Sequence, residues 1–305
     1  MTTPLEARSL IKAFDGDAVL KGVDLTVEPG TVLGLLGKNG SGKSTLIKCL
    51  LGLLKPTAGE AFVFGEDAWS LSAAAKGRLG YVPQEVVTYP WMRVRQVIAY
   101  TGAFYPTWNQ RLADDLCRRW NLPLEQRAGV LSVGQLQTLG LVLALGHEPE
   151  LLVLDEPVAS LDPSARREFL RILIEITGDG DDAGGRVGES ARPRTVLFST
   201  HITSDLERIA SRLALLKDGA IAFEGESDAL KERVKRIRLT SRNGALPTGI
   251  DIPGAIHTTV EGVLAEATVT DFTPDLPARL AAENNVDVAV VDLNLEEIFV
   301  EMHDE

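Results

Sequence analysis

The chain has 305 residues, 45% of them hydrophobic and 24% charged, and a formal net charge of −12. This composition predicts a globular protein with one large and one small domain, and it disfavours nucleic acid as the main partner. No apolar run approaches the ~20 residues that span a bilayer, and residues 1–6 lack the features of a secretory signal. We therefore expect a cytoplasmic chain in which Cys49 and Cys117 are buried free thiols.

The first elements along the chain are short strands within residues 5–36. The last of them, 31–36, leads into the sequence Gly-Lys-Asn-Gly-Ser-Gly-Lys-Ser at 37–44, and an apolar helix follows at 45–51. A strand, a glycine-rich loop and a helix in this order distinguish a phosphate-binding loop from an ordinary glycine turn.

The glycine-rich loop has the chemistry of a polyphosphate site. Its glycines let backbone N–H groups turn towards anionic oxygens, and the helix N-terminus adds partial positive charge. Lys43 can reach the β- and γ-phosphates, and the Ser44 hydroxyl can bind Mg²⁺. The candidate nucleotide-binding residues of this segment are Gly37, Asn39, Gly40, Ser41, Gly42, Lys43, Ser44 and Thr45.

Strands and helices then alternate. Strands are expected at 59–64, 151–154 and 195–199, mostly helical structure at 92–146, and a helix through Ile176 that begins with Asp162 as N-cap. The alternation predicts an α/β fold with a mainly parallel sheet and helices on both of its sides.

Two adjacent carboxylates, Asp155 and Glu156, end the apolar strand 151–154. A carboxylate at the end of a buried strand beside a phosphate-binding loop can hold Mg²⁺ through water, which fits Asp155. Glu156 could polarise an attacking water, because neighbouring side chains at a strand end alternate in direction. The alternative is a solvent-exposed acidic strand terminus.

Twenty residues before this strand, residues 131–135 read Leu-Ser-Val-Gly-Gln. Together with the loop and the acid pair, this segment resembles the ATP-binding subunits of ABC transporters over residues 5–225. The resemblance implies a P-loop NTPase sheet with a helical subdomain at about 85–145, and ATP and Mg²⁺ as ligands. It also implies a head-to-tail dimer with a second ATP-binding subunit, identical or not. Ser132 and the backbone near Gly134 would then contact the γ-phosphate that the partner holds, and Gln135 is a further nucleotide-binding residue of this segment.

Four further residues match landmarks of this family. Gln84 matches the glutamine that senses Mg²⁺ and the attacking water, and His201 matches the switch histidine at the γ-phosphate. Asp162 matches an aspartate at the dimer interface, and Phe14 matches the aromatic residue that stacks on adenine. The alternatives are a polar turn residue, a structural histidine, a helix N-cap and a core phenylalanine, respectively.

Two positions depart from the family pattern. Val133 replaces the first glycine of the Leu-Ser-Gly-Gly-Gln signature, and Thr138, after a matching Gln137, replaces the usual arginine. A β-branched side chain adds bulk where a phosphate should approach closely. We expect ATP to close the dimer with slower or weaker coupling to hydrolysis, or this subunit to work with a non-identical one.

The last part of the chain differs in charge. From residue 243 to 305 there are 13 acidic residues and one basic residue, which places a domain boundary near Thr240 and predicts domains at 1–225 and 226–305. The basic stretch 226–242 fits a solvated helix that runs into a strand, or contact with anionic lipid headgroups. Later strands are expected at 267–272 and 286–291, a helix at 277–283, and a last helix with a capping box. These elements make a small α+β appendage.

Within the first predicted domain, residues 178–194 interrupt the alternation of strands and helices; they carry five glycines and predict an inserted, mobile surface loop. A calcium loop built from Asp179, Asp181 and Asp182 is the alternative, but the ligand spacing and the closing glutamate are wrong for it.

All four tyrosines and three of the four tryptophans lie between residues 81 and 120. They form either the core of a helical subdomain or an interface. The resemblance implies that the segment after Gln84 receives a cytoplasmic helix of a transmembrane subunit. The candidate groove residues are Val86, Val87, Tyr89, Trp91 and Met92.

Residues 293–299 resemble the end of the C-terminal extension of bacterial ABC exporter ATPases. The expected protein is therefore an ATPase that powers export, peripheral at the inner face of the cell membrane. One alternative is a soluble ABC-type ATPase that acts as an assembly or regulatory factor. A non-hydrolysing module is disfavoured by Glu156 and His201.

Overall fold

The structure is a computed structural model, and it describes residues 2–158, 161–177, 194–247 and 249–303. The chain divides into two compact units, a large one of residues 1–201 with 208–224 and a small one of residues 202–207 with 225–305. The predicted loop at 178–194, apart from Arg194, and its calcium alternative at Asp179, Asp181 and Asp182 lie outside the described residues.

The elements of the large unit alternate as the sequence predicts. Its strands are β1 (Leu5–Phe14), β2 (Asp17–Val27), β3 (Val32–Leu36), β4 (Ala58–Val63), β5 (Glu66–Asp67), β6 (Leu79–Val82), β7 (Leu151–Asp155), β8 (Thr195–Thr200), β9 (Arg212–Lys217) and β10 (Ala220–Glu226). Its helices are α1 (Lys43–Leu50), α2 (Ala73–Gly77), α3 (Val94–Gly102), α4 (Gln110–Arg119), α5 (Val133–Leu145) and α6 (Pro163–Thr177), and α7 (Thr203–Ile209) is divided between the two units.

A six-stranded sheet, in the order β10-β9-β3-β8-β7-β6, forms the centre of the large unit. The pairs β9-β3, β3-β8, β8-β7 and β7-β6 are parallel. Every residue of β3, β7 and β8 is buried, as expected for strands covered on both faces. The α/β fold class is thus confirmed.

A second sheet, in the order β2-β1-β4-β5, is antiparallel and was not predicted as a separate sheet. Its first two strands have 10 and 11 residues, so the expectation of short strands there was wrong. Helix α1 packs against β1, β2 and β4 of this sheet and β7 of the parallel sheet. Leu46, Ile47 and Leu50 of α1 therefore belong to a core shared by both sheets, which fixes the loop at the start of α1.

Both cysteines are buried free thiols, as predicted. Cys49 lies on α1 and Cys117 on α4. Burial disfavours the thiolate and raises the pKa of each thiol to about 11, so neither is a reactive nucleophile at neutral pH.

The small unit is a four-stranded antiparallel sheet with helices. Its elements are α8 (Ser227–Arg233), β11 (Lys235–Ser241), β12 (Ala255–Glu261), β13 (Leu264–Val269), α9 (Leu276–Asn284), β14 (Val286–Asp292) and α10 (Leu295–His303). The strand order is β12-β13-β11-β14. On β11, Ile237 and Leu239 alternate with exposed or half-buried residues and share a core with Leu276 and Leu280 of α9.

In the small unit one predicted strand is displaced, one strand was not predicted, and one predicted capping box is confirmed. The strand expected at 267–272 lies three residues earlier, at Leu264–Val269, and β12 was missed because its residues are mostly polar and no apolar alternation marks it. The capping box of the last helix is present. The Asn294 N–H donates to Glu297 Oε2 and the Glu297 N–H donates to Asn294 Oδ1, both at 2.9 Å.

Among the described residues, no helix combines the length and the hydrophobicity that crossing a membrane requires.

Candidate functional site

The glycine-rich loop joins β3 to α1, and its shape depends on glycine at both ends. A Cβ atom at Gly37 would lie 2.5 Å from Ser41 Oγ and 2.7 Å from the carbonyl oxygen of Leu216, so no larger residue fits. Gly42, the N-cap of α1, has φ of 105°, a left-handed conformation that favours glycine. The sequence therefore specifies a tight loop that ends at a helix N-terminus, where backbone N–H groups can bind an anion.

Lys43 is buried at the first position of α1, with 6% of its surface exposed. Its Nζ donates to the carbonyl oxygens of Gly37 at 2.7 Å and Lys38 at 3.3 Å. The same ammonium lies 3.1 Å from Glu156 Oε1, and both side chains of this ion pair are almost wholly buried. The positive charge is thus held against the loop by two carbonyl groups and a carboxylate.

Asp155 and Glu156 are 1% and 5% exposed, so the alternative of a solvent-exposed acidic strand end is wrong. Asp155 Oδ1 accepts a hydrogen bond of 2.8 Å from Ser199 Oγ, whereas its buried Oδ2 has no hydrogen-bond partner among the described residues. Glu156 has φ of 49°, and its N–H donates to Ser199 Oγ at 3.0 Å and to the Ser199 carbonyl oxygen at 3.2 Å. Ser199 therefore contacts the carboxylate of Asp155 and the backbone N–H of Glu156 from the neighbouring strand.

His201 follows β8 and lies beside Glu156. Its Nδ1 is 2.7 Å from Glu156 Oε2, and 40% of its side chain is exposed. A carboxylate can only accept a hydrogen bond, so Nδ1 carries the proton and donates it. Lys43, Glu156 and His201, which the sequence singled out separately, thus form one chain of contacts through the two oxygens of Glu156.

Gln84 lies two residues after β6, which neighbours β7, and its side chain is exposed. It therefore follows the carboxyl end of a strand at the same edge of the sheet as Asp155. Phe14 ends β1 with 45% of its surface exposed, and Lys12 Nζ lies 4.8 Å from its ring centroid. The alternative of a core phenylalanine is wrong.

Asp162 caps α6. Its Oδ1 accepts hydrogen bonds from the N–H groups of Ser164 at 2.9 Å and Ala165 at 3.1 Å. The N-cap alternative for Asp162 is therefore confirmed, and a role at a dimer interface stays a prediction, since the two can coexist.

The signature segment forms the start of α5. Ser132 is the N-cap, with its Oγ accepting from the Gln135 N–H at 3.2 Å while Gln135 Oε1 accepts from the Ser132 N–H at 3.0 Å. Val133 is the first helical residue and is 65% exposed. Thr138, which replaces the family's arginine, donates from Oγ1 to the Gly134 carbonyl oxygen at 2.8 Å, within its own helix. Ser132 and Gln135 thus bond to each other at the helix end.

Sequence reasoning missed Ser199, which it treated only as part of the strand before His201. The available signal was a hydroxyl directly after the apolar run 196–198, near the carboxyl end of the strand. Its significance depends on the parallel register of β7 and β8, which pairs Asp155 with Ser199. Strand order and register are not readable from one sequence.

The residues present fit Mg²⁺ bound with a polyphosphate. Hard cations prefer carboxylate and hydroxyl oxygens. Asp155 Oδ2 is a buried carboxylate oxygen without a hydrogen bond, and Ser41 Oγ, in the loop, is likewise buried without a partner among the described residues. Ser44, half-buried at the start of α1, offers a further hydroxyl.

Comparison with known proteins decides the family. The family described as "ABC transporter" matches residues 20–159. The Nod factor export ATP-binding protein I of Burkholderia lata is 33% identical over 310 residues, covering 98% of this chain and 96% of that protein. The chain belongs to the ATP-binding subunits of ABC transporters. It is an ATPase, and its ligand is ATP.

Other members of this family carry different transport names. The phosphonates import ATP-binding protein PhnC of Alcaligenes faecalis is 33% identical over 249 residues, covering 75% of this chain and 86% of that protein. A dimeric ATP-binding cassette in a post-hydrolysis state, bound to ADP and Pi, shares the fold with a TM-score of 0.61 at 22% identity, over 73% of this chain and 98% of that one. The ATP-binding subunits that this chain resembles thus include proteins named for import and proteins named for export.

Proposed function

We propose that this ABC transporter subunit hydrolyses Mg-ATP with Glu156 as the general base and thereby drives export through a separate membrane-spanning partner. Export is favoured because the Nod factor export protein aligns with 98% of the chain, the small unit included, whereas the phosphonate import protein aligns with 75%. We place the subunit at the inner face of the cell membrane, held there by that partner.

The ion pair between Lys43 and Glu156 carries the proposal for the site. A buried charge needs a partner, and here each neutralises the other at 3.1 Å. A triphosphate in the glycine-rich loop offers oxygens in place of the carboxylate. Lys43 then turns to the phosphates, together with the loop residues from Gly37 to Thr45, and Glu156 is released to act on water.

Glu156 and His201 are the residues that we assign to the attacking water and the γ-phosphate. Released from Lys43, the Glu156 carboxylate accepts a proton from water. His201 donates from Nδ1 to Glu156 in this structure and can orient that carboxylate or contact the γ-phosphate through the rest of its ring. Gln84, exposed near the same sheet edge, is assigned to the water and the metal.

Ser44, Asp155 and Gln84 would hold Mg²⁺. When bound, the metal neutralises phosphate charge and orients the oxygens that take part in the displacement. The chain's own contribution is Asp155 Oδ2, which is buried and has no competing hydrogen bond in the described part of the chain.

The site is proposed to be completed by a second ATP-binding subunit. Ser132, Gly134 and Gln135 of one subunit would face the triphosphate of the other, with Asp162 at the interface and Phe14 against adenine. Support comes from the exposed position of Phe14 and from a structural neighbour that is dimeric and bound to ADP and Pi.

The surface for the membrane partner is proposed to be an exposed aromatic cluster of Tyr89, Trp91, Tyr100 and Phe104. Successive ring centroids lie 5.6, 5.3 and 5.1 Å apart, starting from the Trp91–Tyr89 pair. Trp91 and Phe104 are 68% and 67% exposed. Contiguous exposed aromatic rings are typical of interfaces, so this cluster supports docking of a cytoplasmic segment of the transmembrane subunit.

The catalytic proposal is tested by replacing Glu156 with Gln and measuring phosphate release at saturating Mg-ATP. Removal of a general base should lower kcat by about 100-fold or more while nucleotide binding persists. Glu150→Gln is the matched control, because Glu150 lies just before β7, is exposed and pairs with Arg78 at 2.7 Å. Hydrolysis at the unchanged rate in Glu156→Gln would remove Glu156 from the mechanism.

A further inference from the structure

Ser199 is the penultimate residue of β8, and none of its surface is exposed. Its hydroxyl touches both acidic residues of the neighbouring strand: Asp155 Oδ1 at 2.8 Å and the Glu156 N–H at 3.0 Å. No other side chain in the described residues makes hydrogen bonds to both positions.

The direction of these two bonds follows from their chemistry. The Glu156 N–H can only donate, so Ser199 Oγ accepts from it. The single proton of the hydroxyl is then available to the Asp155 carboxylate, which can only accept. The hydroxyl thus commits its one proton and one of its two lone pairs to fixed partners.

The two carboxylate oxygens of Asp155 therefore differ in their hydrogen bonding. Oδ1 is engaged by Ser199, and Oδ2 stays buried without a hydrogen bond to the described residues. A carboxylate held by one oxygen cannot rotate freely, so the other oxygen is presented in one direction. Partners of this kind orient metal ligands and raise affinity for the metal.

The same hydroxyl supports an unusual backbone conformation. Glu156 has φ of 49°, which is disfavoured for a residue with a side chain. Such a conformation persists where surrounding contacts enforce it, and here the Glu156 N–H is shared between the hydroxyl and the carbonyl oxygen of Ser199. The side chain of Glu156 then reaches Lys43 and His201.

We infer that Ser199 is a positioning residue for both carboxylates: it presents Asp155 Oδ2 to Mg²⁺ and holds Glu156 where it can act on water. The inference rests on the proposed function of this site. It predicts a defect that depends on the metal, whereas a purely structural hydroxyl would affect stability alone.

The experiment titrates Mg²⁺ against binding of a fluorescent, non-hydrolysable ATP analogue to the full chain, with a parallel binding measurement in EDTA. Ser199→Ala should raise the Mg²⁺ midpoint about 10-fold or more, with analogue affinity in EDTA unchanged. Ser199→Thr keeps the hydroxyl and should restore the midpoint to within about threefold of the unchanged chain.

Thr195→Val is the matched control. Thr195 is also buried on β8, but at the opposite end, where its Oγ1 accepts from the Gly30 N–H at 2.9 Å. The substitution removes one hydrogen-bonded hydroxyl from the same strand and should leave the Mg²⁺ midpoint unchanged.

The possible results distinguish failure of the proposed ATPase function from failure of the role inferred for Ser199. An unchanged chain that neither binds the analogue nor hydrolyses ATP would overturn the proposed function itself. If the unchanged chain is active and Ser199→Ala has a normal Mg²⁺ midpoint, only the role of Ser199 is overturned. An equal shift in Thr195→Val, or a loss of analogue binding in EDTA, would also overturn it in favour of a structural role.

Discussion

At the scale of single residues, the site is a set of buried charges that neutralise one another. Lys43 and Glu156 are each almost wholly buried, and an unpaired charge in such a place would be costly. In the proposed function a phosphate takes the place of the Glu156 carboxylate beside Lys43, which would link nucleotide binding to the release of Glu156.

Val133 is the residue where the sequence departs from the family signature, and it predicts a gain of activity. It begins α5 and is 65% exposed, so its branched side chain projects from the helix end that is proposed to face the partner's triphosphate. Relief of a steric cost of about 1 kcal/mol in Val133→Gly should raise the rate of ATP hydrolysis about fivefold.

The comparison that isolates this effect is Val130→Gly. Val130 is 70% exposed and lies three positions earlier, before the helix begins. Steady-state phosphate release is measured for both variants at saturating Mg-ATP. Equal rates in the two would mean that bulk at Val133 does not limit hydrolysis.

At the level of secondary structure, three parallel strands bring the proposed catalytic groups to the same end of the sheet. β3, β7 and β8 are neighbours and run in the same direction, so their carboxyl ends meet. The glycine-rich loop follows β3, the acid pair ends β7, and Ser199 and His201 lie at the end of β8. Helix α1, held between two sheets, fixes the loop relative to the acid pair.

The aromatic cluster of Tyr89, Trp91, Tyr100 and Phe104 predicts the effect of a charge on association with the transmembrane subunit. Trp91→Glu puts a charge into a surface proposed to be covered by the transmembrane subunit, and desolvation of that charge should weaken association at least about 10-fold. The measurement is co-purification from detergent-solubilised membranes with the membrane protein that the unchanged chain captures. Basal ATPase activity of the isolated subunit should not change.

Trp69→Glu provides the control. Trp69 is also exposed, at 55%, but it lies after β5, outside the cluster. Capture of the membrane protein at normal levels by Trp91→Glu would remove the cluster from the interface.

At the scale of the whole molecule, the proposed mechanism needs two ATP-binding subunits. The signature residues Ser132 and Gln135 bond to each other at the end of α5, within one chain. In the proposed dimer each subunit supplies this helix end to the triphosphate of the other, so the bound nucleotide would bridge the two subunits.

Pairing of two subunits around ATP predicts that the mass of the protein in solution depends on bound nucleotide. Glu156→Gln, which retains ATP, should double its mass from the 32.9 kDa of one chain when light scattering is measured in saturating Mg-ATP. The same variant with Lys43→Ala added should stay at the mass of one chain, because Lys43 is needed to hold the phosphates. A single-chain mass for Glu156→Gln alone would contradict pairing of identical subunits and point to a non-identical one.

Much of the fold and the site could be predicted because local chemistry marks them. The apolar strand before Asp155, the glycines around Ser41 and the N-cap at Asp162 each carry their own signal. Other features have no such signal. β12 is a mostly polar strand without alternation, and its place in the sheet depends on pairing with β13. The burial of Glu156 and the exposure of Phe14 likewise depend on what packs around them.

Residue type and local order were enough to predict the resemblance to ABC transporter subunits, the α/β fold class, the glycine-rich loop and the roles of the acids and the histidine. The tertiary structure was needed to show that Glu156 contacts both Lys43 and His201, that Asp155 Oδ2 has no hydrogen bond to the residues described, and that Ser199 Oγ contacts the Asp155 carboxylate and the Glu156 N–H. Those facts depend on the register between β7 and β8, which joins residues more than forty positions apart in the chain. Contacts over that separation are set by packing of the whole sheet, and no local pattern records them.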